Sequence, residues 1–231
     1  MTALDLLKDG LVVSCQPVEH GPLDAPEMVA ALAAAAVAGG AKGVRIEGVE
    51  NLQVTRAAVT VPIIGIVKED LPDSPVRITP RLSQVHALAE AGADVIAYDA
   101  THRARPHQPD ALLERILSLG KIAMADCATE RDGRCALEGG AHILGSTLSG
   151  YTDNTGPAGP EPDLALVTKF KSLGAFVMAE GRYNTPDAAR AAIRAGADCV
   201  TVGTALTRLE IMTQGFASAI ENARVSCNVQ S

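Results

Sequence analysis

Short apolar runs recur eight times along the chain, and most of them close on a polar residue or a glycine. They are Leu11–Cys15, Gly43–Glu47, Ile63–Lys68, Val95–Asp99, Ile122–Asp126, His142–Gly145, Phe176–Glu180 and Cys199–Gly203. Runs this short and apolar predict strands buried on both faces, and their spacing leaves room for one helix and two short loops between neighbours. A recurring cue stands before five of them: Gly39-Gly-Ala-Lys-Gly43, Ala91-Gly-Ala-Asp94, Gly139-Gly-Ala-His142, Leu173-Gly-Ala175 and Ala195-Gly-Ala-Asp198. Glycine there ends a helix in the left-handed conformation, so each cue predicts a helix-to-strand joint. Helix starts are predicted at Asp24-Ala-Pro-Glu27, a capping carboxylate with Glu three places on, and at Thr79-Pro80 and Thr185-Pro186, each a capping hydroxyl followed by a first-turn proline. The alanine-rich stretch 31–38 follows one such start and ends at Gly39-Gly40, which predicts a small-faced helix packed close to the sheet.

Eight strand–helix units in succession predict an α/β fold, a TIM (β/α)8 barrel. No Pro/Ser-rich boundary divides the chain, so residues 1–231 read as one domain. The loop after the sixth strand, residues 149–162, is too long and polar for a minimal connection and is expected to act as a lid.

Composition narrows the partners. A net charge of −7 and a pI near 5.2 argue against nucleic acid, while a pocket's own field can still attract a small anion. The N-terminus lacks the features of a signal peptide and no run is long enough to span a membrane. Five cysteines without a CxxC pair point to neither zinc nor disulfides. Cytoplasmic localisation follows as the expectation. The five histidines show no ligand spacing, so no metal site is predicted.

In a barrel of parallel strands the C-terminal ends meet at one face, where chemistry is done. The ends here offer Gln16, Arg45 with Glu47, Lys68, Asp99, Asp126, Ser146 with Thr147, Glu180, and Gly203 with Thr204. Taken singly, Lys68, Asp126 or Glu180 suits a salt bridge across the barrel mouth as well as it suits catalysis. Three ionisable ends beside buried apolar positions favour function, because an unpaired buried charge is costly. Gly181 with Arg182, and Gly203 with Thr204, stand after strands seven and eight, where barrels often bind phosphate. Cys127 and Cys15 alternate away from these ends and read as structural thiols. A lysine inside a barrel beside a carboxylate suits proton transfer at carbon or a Schiff base equally well.

The stretches Val13-Ser-Cys-Gln-Pro17, Gly43-Val-Arg-Ile46, Pro62-Ile-Ile-Gly-Ile-Val-Lys68, Val76-Arg-Ile-Thr-Pro80, Asp99-Ala-Thr101, Met124-Ala-Asp126, Leu144-Gly-Ser-Thr-Leu-Ser-Gly-Tyr-Thr152, Ala179-Glu-Gly-Arg182 and Val200-Thr-Val-Gly203 together resemble the N-acetylmannosamine-6-phosphate 2-epimerase family. The resemblance runs from about Leu11 to Glu210. It implies a cofactor-free barrel, a homodimer, that interconverts N-acetylmannosamine 6-phosphate and N-acetylglucosamine 6-phosphate in sialic-acid and amino-sugar catabolism. Carried over by position, it implies that Lys68 and Glu180 are catalytic and that Gln16, Arg45 and Asp126 hold the substrate. It places the phosphate on Gly181, Arg182, Gly203 and Thr204. Thr204 departs from the family, many of whose members have glycine there, and nothing is carried over from His102. Two other readings stand beside this one: a Schiff-base aldolase of the class I type acting on a phosphosugar, and a phosphosugar-binding protein without turnover.

Overall fold

The eight apolar runs fold as eight parallel strands, β1 (Gly10–Cys15), β2 (Gly43–Glu47), β3 (Ile63–Ile66), β4 (Val95–Asp99), β5 (Ile122–Asp126), β6 (Ile143–Gly145), β7 (Phe176–Glu180) and β8 (Cys199–Val202). They pair in chain order, and β8 returns to β1 through the register Gly10↔Cys199 to Val13↔Val202, which closes the barrel. The structure is a computed structural model that describes residues 2–156 and 159–228, with side chains as far as residue 223.

Alternation along each strand divides the core in two. Val13, Val44, Ile96 and Tyr98 point outward and pack with helix residues such as Leu52, Leu88 and Phe170. Val12, Ile64, Ile66, Val95, Ala97, Met124, Ile143, Met178 and Cys199 point inward and fill the barrel, together with Leu7. Leu7 comes from a short helix, Ala3–Leu7, whose start is fixed by a capping box between Thr2 and Asp5. Its Cδ2 lies 2.5 Å from where a Cβ on Gly43 would stand, so glycine at the foot of β2 lets this helix seat itself in the barrel floor.

Two residues further along six of the eight strand segments the inward position changes from apolar to polar. Val12 gives way to Ser14, Ile66 to Lys68, Ala97 to Asp99, Met124 to Asp126, Met178 to Glu180 and Cys199 to Thr201. A ring of polar side chains therefore stands on an apolar plug, at the end of the barrel where the strands finish.

The glycine joints behave as predicted: Gly40 and Gly196, for example, adopt φ of 102° and 106°. Thr185 also caps its helix, accepting the Ala188 N–H at 3.1 Å. The other two predicted starts need correction. Asp24 accepts the N–H of His20 at 2.7 Å, and Ala25, with no side-chain cap, precedes the helix Pro26–Ala38. Thr79 sits at φ 45° and its hydroxyl joins two strands, donating to the Ala97 carbonyl at 2.7 Å and accepting from Val67 N–H at 3.3 Å. The helix that follows starts only at Leu82. β3 also stops two residues before Lys68, because the chain doubles back there and Lys68 makes an antiparallel bridge with Ile78.

Candidate active site

One guanidinium organises the polar ring. Arg45, 1 % exposed, donates from Nη2 to Asp126 Oδ2 at 2.6 Å and from Nη1 to both Asp126 Oδ1 at 3.2 Å and Glu180 Oε2 at 2.7 Å. Thr147, at the end of β6, donates to Asp126 Oδ1 at 2.6 Å. The Ser146 hydroxyl bridges to the Glu180 backbone, accepting its N–H at 3.1 Å and donating to its carbonyl at 2.9 Å. Burial alone would lower the proton affinity of Arg45, but the two carboxylates outweigh it and hold the guanidinium firmly charged. One positive charge shared by two carboxylates leaves the cluster short of cation. Burial therefore pushes Glu180 up to about 7, against the pull of Arg45 and with the help of the Asp126 charge.

Lys68 faces the same space from the β3 side. Burial, and after it the positive charges of Arg208 and Arg45, lower its amine to about 8. Its backbone N–H is held by Glu47 Oε1 at 3.1 Å. An amine and a carboxyl that ordinarily titrate six units apart are thus brought within about one unit of each other. That is the condition for proton transfer in either direction near neutral pH.

Of the nine residues to which the resemblance gives a role, eight line a single cavity of about 270 Å³: Gln16, Arg45, Lys68, Glu180, Gly181, Arg182, Gly203 and Thr204. Asp126 does not reach it; it is fully buried behind Arg45 and bonded to that guanidinium. Asp99 is also withdrawn, gripped by Arg103 at 2.5 Å and Arg105 at 2.7 Å, so that residues 101–105 close over the end of β4. A larger hollow of about 680 Å³ adjoins on the β1–β3 side and shares Gln16, Lys68 and Arg208 with the first.

The turn after β7 needs its glycine, because Gly181 has φ 107°, and even Arg182 is left-handed at φ 65°. Arg182 is kept there by the loop over it: its Nε donates to the Glu161 carbonyl and its Nη1 to the Ser149 carbonyl, both at 2.8 Å, and its guanidinium lies 5.3 Å over the Tyr151 ring. These contacts hold Ser149, Tyr151 and Glu161 beside the cavity, which Tyr151 helps to line. Pro157 and Ala158 of the expected lid lie outside the described residues. Thr204 opens the short helix Thr204–Thr207, with Gly203 as its cap, so a side chain at 204 meets no backbone strain.

The family model described as "Putative N-acetylmannosamine-6-phosphate epimerase" matches residues 29–222. The chain belongs to this family. A Pasteurella multocida relative named "Putative N-acetylmannosamine-6-phosphate 2-epimerase" is 56% identical over 221 residues, covering 96% of each chain. A Haemophilus influenzae relative of the same name is 55% identical with the same coverage. The solved structure of the N-acetylmannosamine-6-phosphate 2-epimerase from Clostridium perfringens superposes with a TM-score of 0.91 at 34% identity, covering 95% of this chain and 96% of that one.

Within this family frame, several lining residues carried no readable signal in the sequence. Arg208 follows a four-residue helix, donates from Nε to the Gln16 carbonyl at 3.1 Å and is the strongest neighbouring charge on Lys68. Ser14 accepts from Gln16 Nε2 at 2.7 Å. The inward alternation of β1 and β8 was the available clue to Ser14 and Thr201. Cys127 and Cys15 face the helix layer, where burial pushes both thiols up, Cys15 to about 12, as suits structural cysteines. Cys227 lies beyond the described side chains. Among the described residues no group of three or more His, Cys, Asp or Glu is placed to hold a metal, and no helix is long and apolar enough to cross a membrane.

Proposed function

We propose that this chain is a cofactor-free isomerase that interconverts N-acetylmannosamine 6-phosphate and N-acetylglucosamine 6-phosphate. The observation that carries the proposal is the pairing of Lys68 and Glu180 across one cavity, with their proton affinities drawn together. Inverting C2 requires the ring-opened sugar, in which the C1 carbonyl makes the C2 hydrogen acidic. One group removes that proton, the electron pair moves into an enolate on O1, and the other group returns a proton to the opposite face. Lys68 and Glu180 are the two groups, and Arg45 supplies the positive field toward which O1 develops charge. The phosphate sits on the turns after β7 and β8, through Gly181, Arg182, Gly203 and Thr204. C2 and C6 lie at opposite ends of the sugar, so the acetamido group is directed to the hollow shared by Gln16 and Lys68.

The chain works as one domain, in the cytoplasm, as a homodimer in the service of amino-sugar and sialic-acid catabolism. The dimer is supported by the last helix, Leu209–Asn228, whose Leu209, Phe216 and Ile220 are 65%, 70% and 63% exposed. The test of the reaction is an NMR assay of the purified chain with N-acetylmannosamine 6-phosphate in deuterium oxide. N-acetylglucosamine 6-phosphate carrying deuterium at C2 is the expected product. Absence of conversion, or an adduct trapped by borohydride, would overturn the reading, since only an imine is reduced to a stable covalent product.

A further inference from the structure

Among the described residues that line the cavity, Arg45 Nε, the Tyr183 hydroxyl and the Thr201 hydroxyl are buried without a hydrogen-bond partner, and of these Thr201 alone stands on a barrel strand with no other polar contact. It stands on β8 in register with Glu180 on one side and Val12 on the other, and it lines the cavity. It is 2 % exposed, and its hydroxyl has no hydrogen-bond partner. Leaving a buried hydroxyl unpaired is costly, and valine would serve the same shape on a buried strand without that cost. The neighbouring hydroxyls of Thr147, Ser146 and Thr207 are all engaged, with Asp126, the Glu180 backbone and the Ser14 carbonyl respectively.

We infer that the Thr201 hydroxyl is reserved for the substrate and binds the sugar hydroxyl on C3 or C4. This rests on the epimerase reading, which sets the two ends of the ligand: C2 between Lys68 and Glu180, and the phosphate on the turns after β7 and β8. The chain from C3 to C5 must then pass from Glu180 toward Gly203. Thr201 lies on that line, one strand spacing from Glu180, which in a parallel sheet is about 4.8 Å. Holding C3 or C4 there fixes rotation about the C2–C3 bond, so the C2 hydrogen faces its acceptor when the ring is open. Thr201 is a positioning residue and moves no proton itself.

The test compares the parent chain with Thr201→Val and Thr201→Ser, using N-acetylmannosamine 6-phosphate and its 3-deoxy and 4-deoxy analogues. Turnover is followed by NMR, binding by calorimetry and folding by thermal unfolding. The valine variant should melt at or above the parent temperature yet lose about three- to tenfold in kcat/KM and in affinity, the span a neutral hydrogen bond is worth. Serine should restore most of the loss. With one of the two deoxy analogues, parent and valine variant should perform alike, because the partner of the lost hydroxyl is already missing. Parental performance of the valine variant on the full sugar overturns the inference, as does an undiminished loss on both analogues. Failure of the epimerase reading would show separately, as no conversion by the parent, and the calorimetric comparison would still decide the role of Thr201.

Discussion

Replacing Asp126 by asparagine tests the idea that the Asp126 charge adds to burial in raising the proton affinity of Glu180. Asp126 Oδ1 and Glu180 Oε2 both bond Arg45 Nη1, at 3.2 and 2.7 Å, so the two oxygens are no more than about 6 Å apart. At an effective dielectric constant of about 20, two like charges at about 6 Å repel by about 3 kcal/mol, or about two pKa units. Asp126→Asn removes that repulsion and leaves Arg45 to Glu180 alone. The new amide can turn its oxygen to Arg45 and its NH2 to the Thr147 hydroxyl, which accepts as readily as it donates. Glu180 should fall from about 7 toward ordinary carboxylate values. In the direction of reaction in which Glu180 removes the proton, kcat/KM measured against pH by NMR should show its acid limb, an apparent value of the coupled site, moved down by about two units. The plateau should fall with it, since a weaker base removes a carbon-bound proton more slowly. An acid limb that stays in place or moves upward would refute the reasoning.

Three further outcomes follow from the same structure. Lys68→Ala should abolish exchange of the C2 hydrogen with deuterium while leaving the melting temperature near the parent's; unaltered exchange would remove Lys68 from the chemistry. Arg182→Ala should release Ser149, Tyr151 and Glu161, seen as faster amide hydrogen exchange at residues 149–156 together with a raised KM, because two bonds to backbone carbonyls and the contact with Tyr151 are lost. Leu7→Ala should destabilise the barrel by about 2–5 kcal/mol in urea unfolding, the usual cost of such a truncation in a filled core.

The barrel was legible because its strands are buried on both faces and stand out as apolar runs, and because glycine joints mark where each helix stops. Lys68, Asp126 and Glu180 were legible for the related reason that a charge at the end of such a run needs an explanation. What a single sequence hides is partnership. Asp126 looked like a group that holds substrate, yet it lies behind Arg45, a contact between residues 81 places apart. Arg182 read as a phosphate contact, and nothing in the sequence signalled that two carbonyls of a distant loop also hold it. Thr79 before proline carries every local mark of a helix cap, and a tertiary bond to β4 overrides them. The opening Thr2-Ala-Leu-Asp5 did carry a helix signature, the reciprocal cap that now seats Leu7 in the floor.

That floor has a kinetic consequence. With Leu7 and the inward side chains of the strands filling the lower barrel, sugar phosphate enters and leaves through the mouth alone. The two epimers differ only at the carbon being inverted, so the outgoing molecule occupies the berth the next one requires. Each should therefore inhibit the conversion of the other in a purely competitive manner, and flux should follow the ratio of their concentrations rather than their sum.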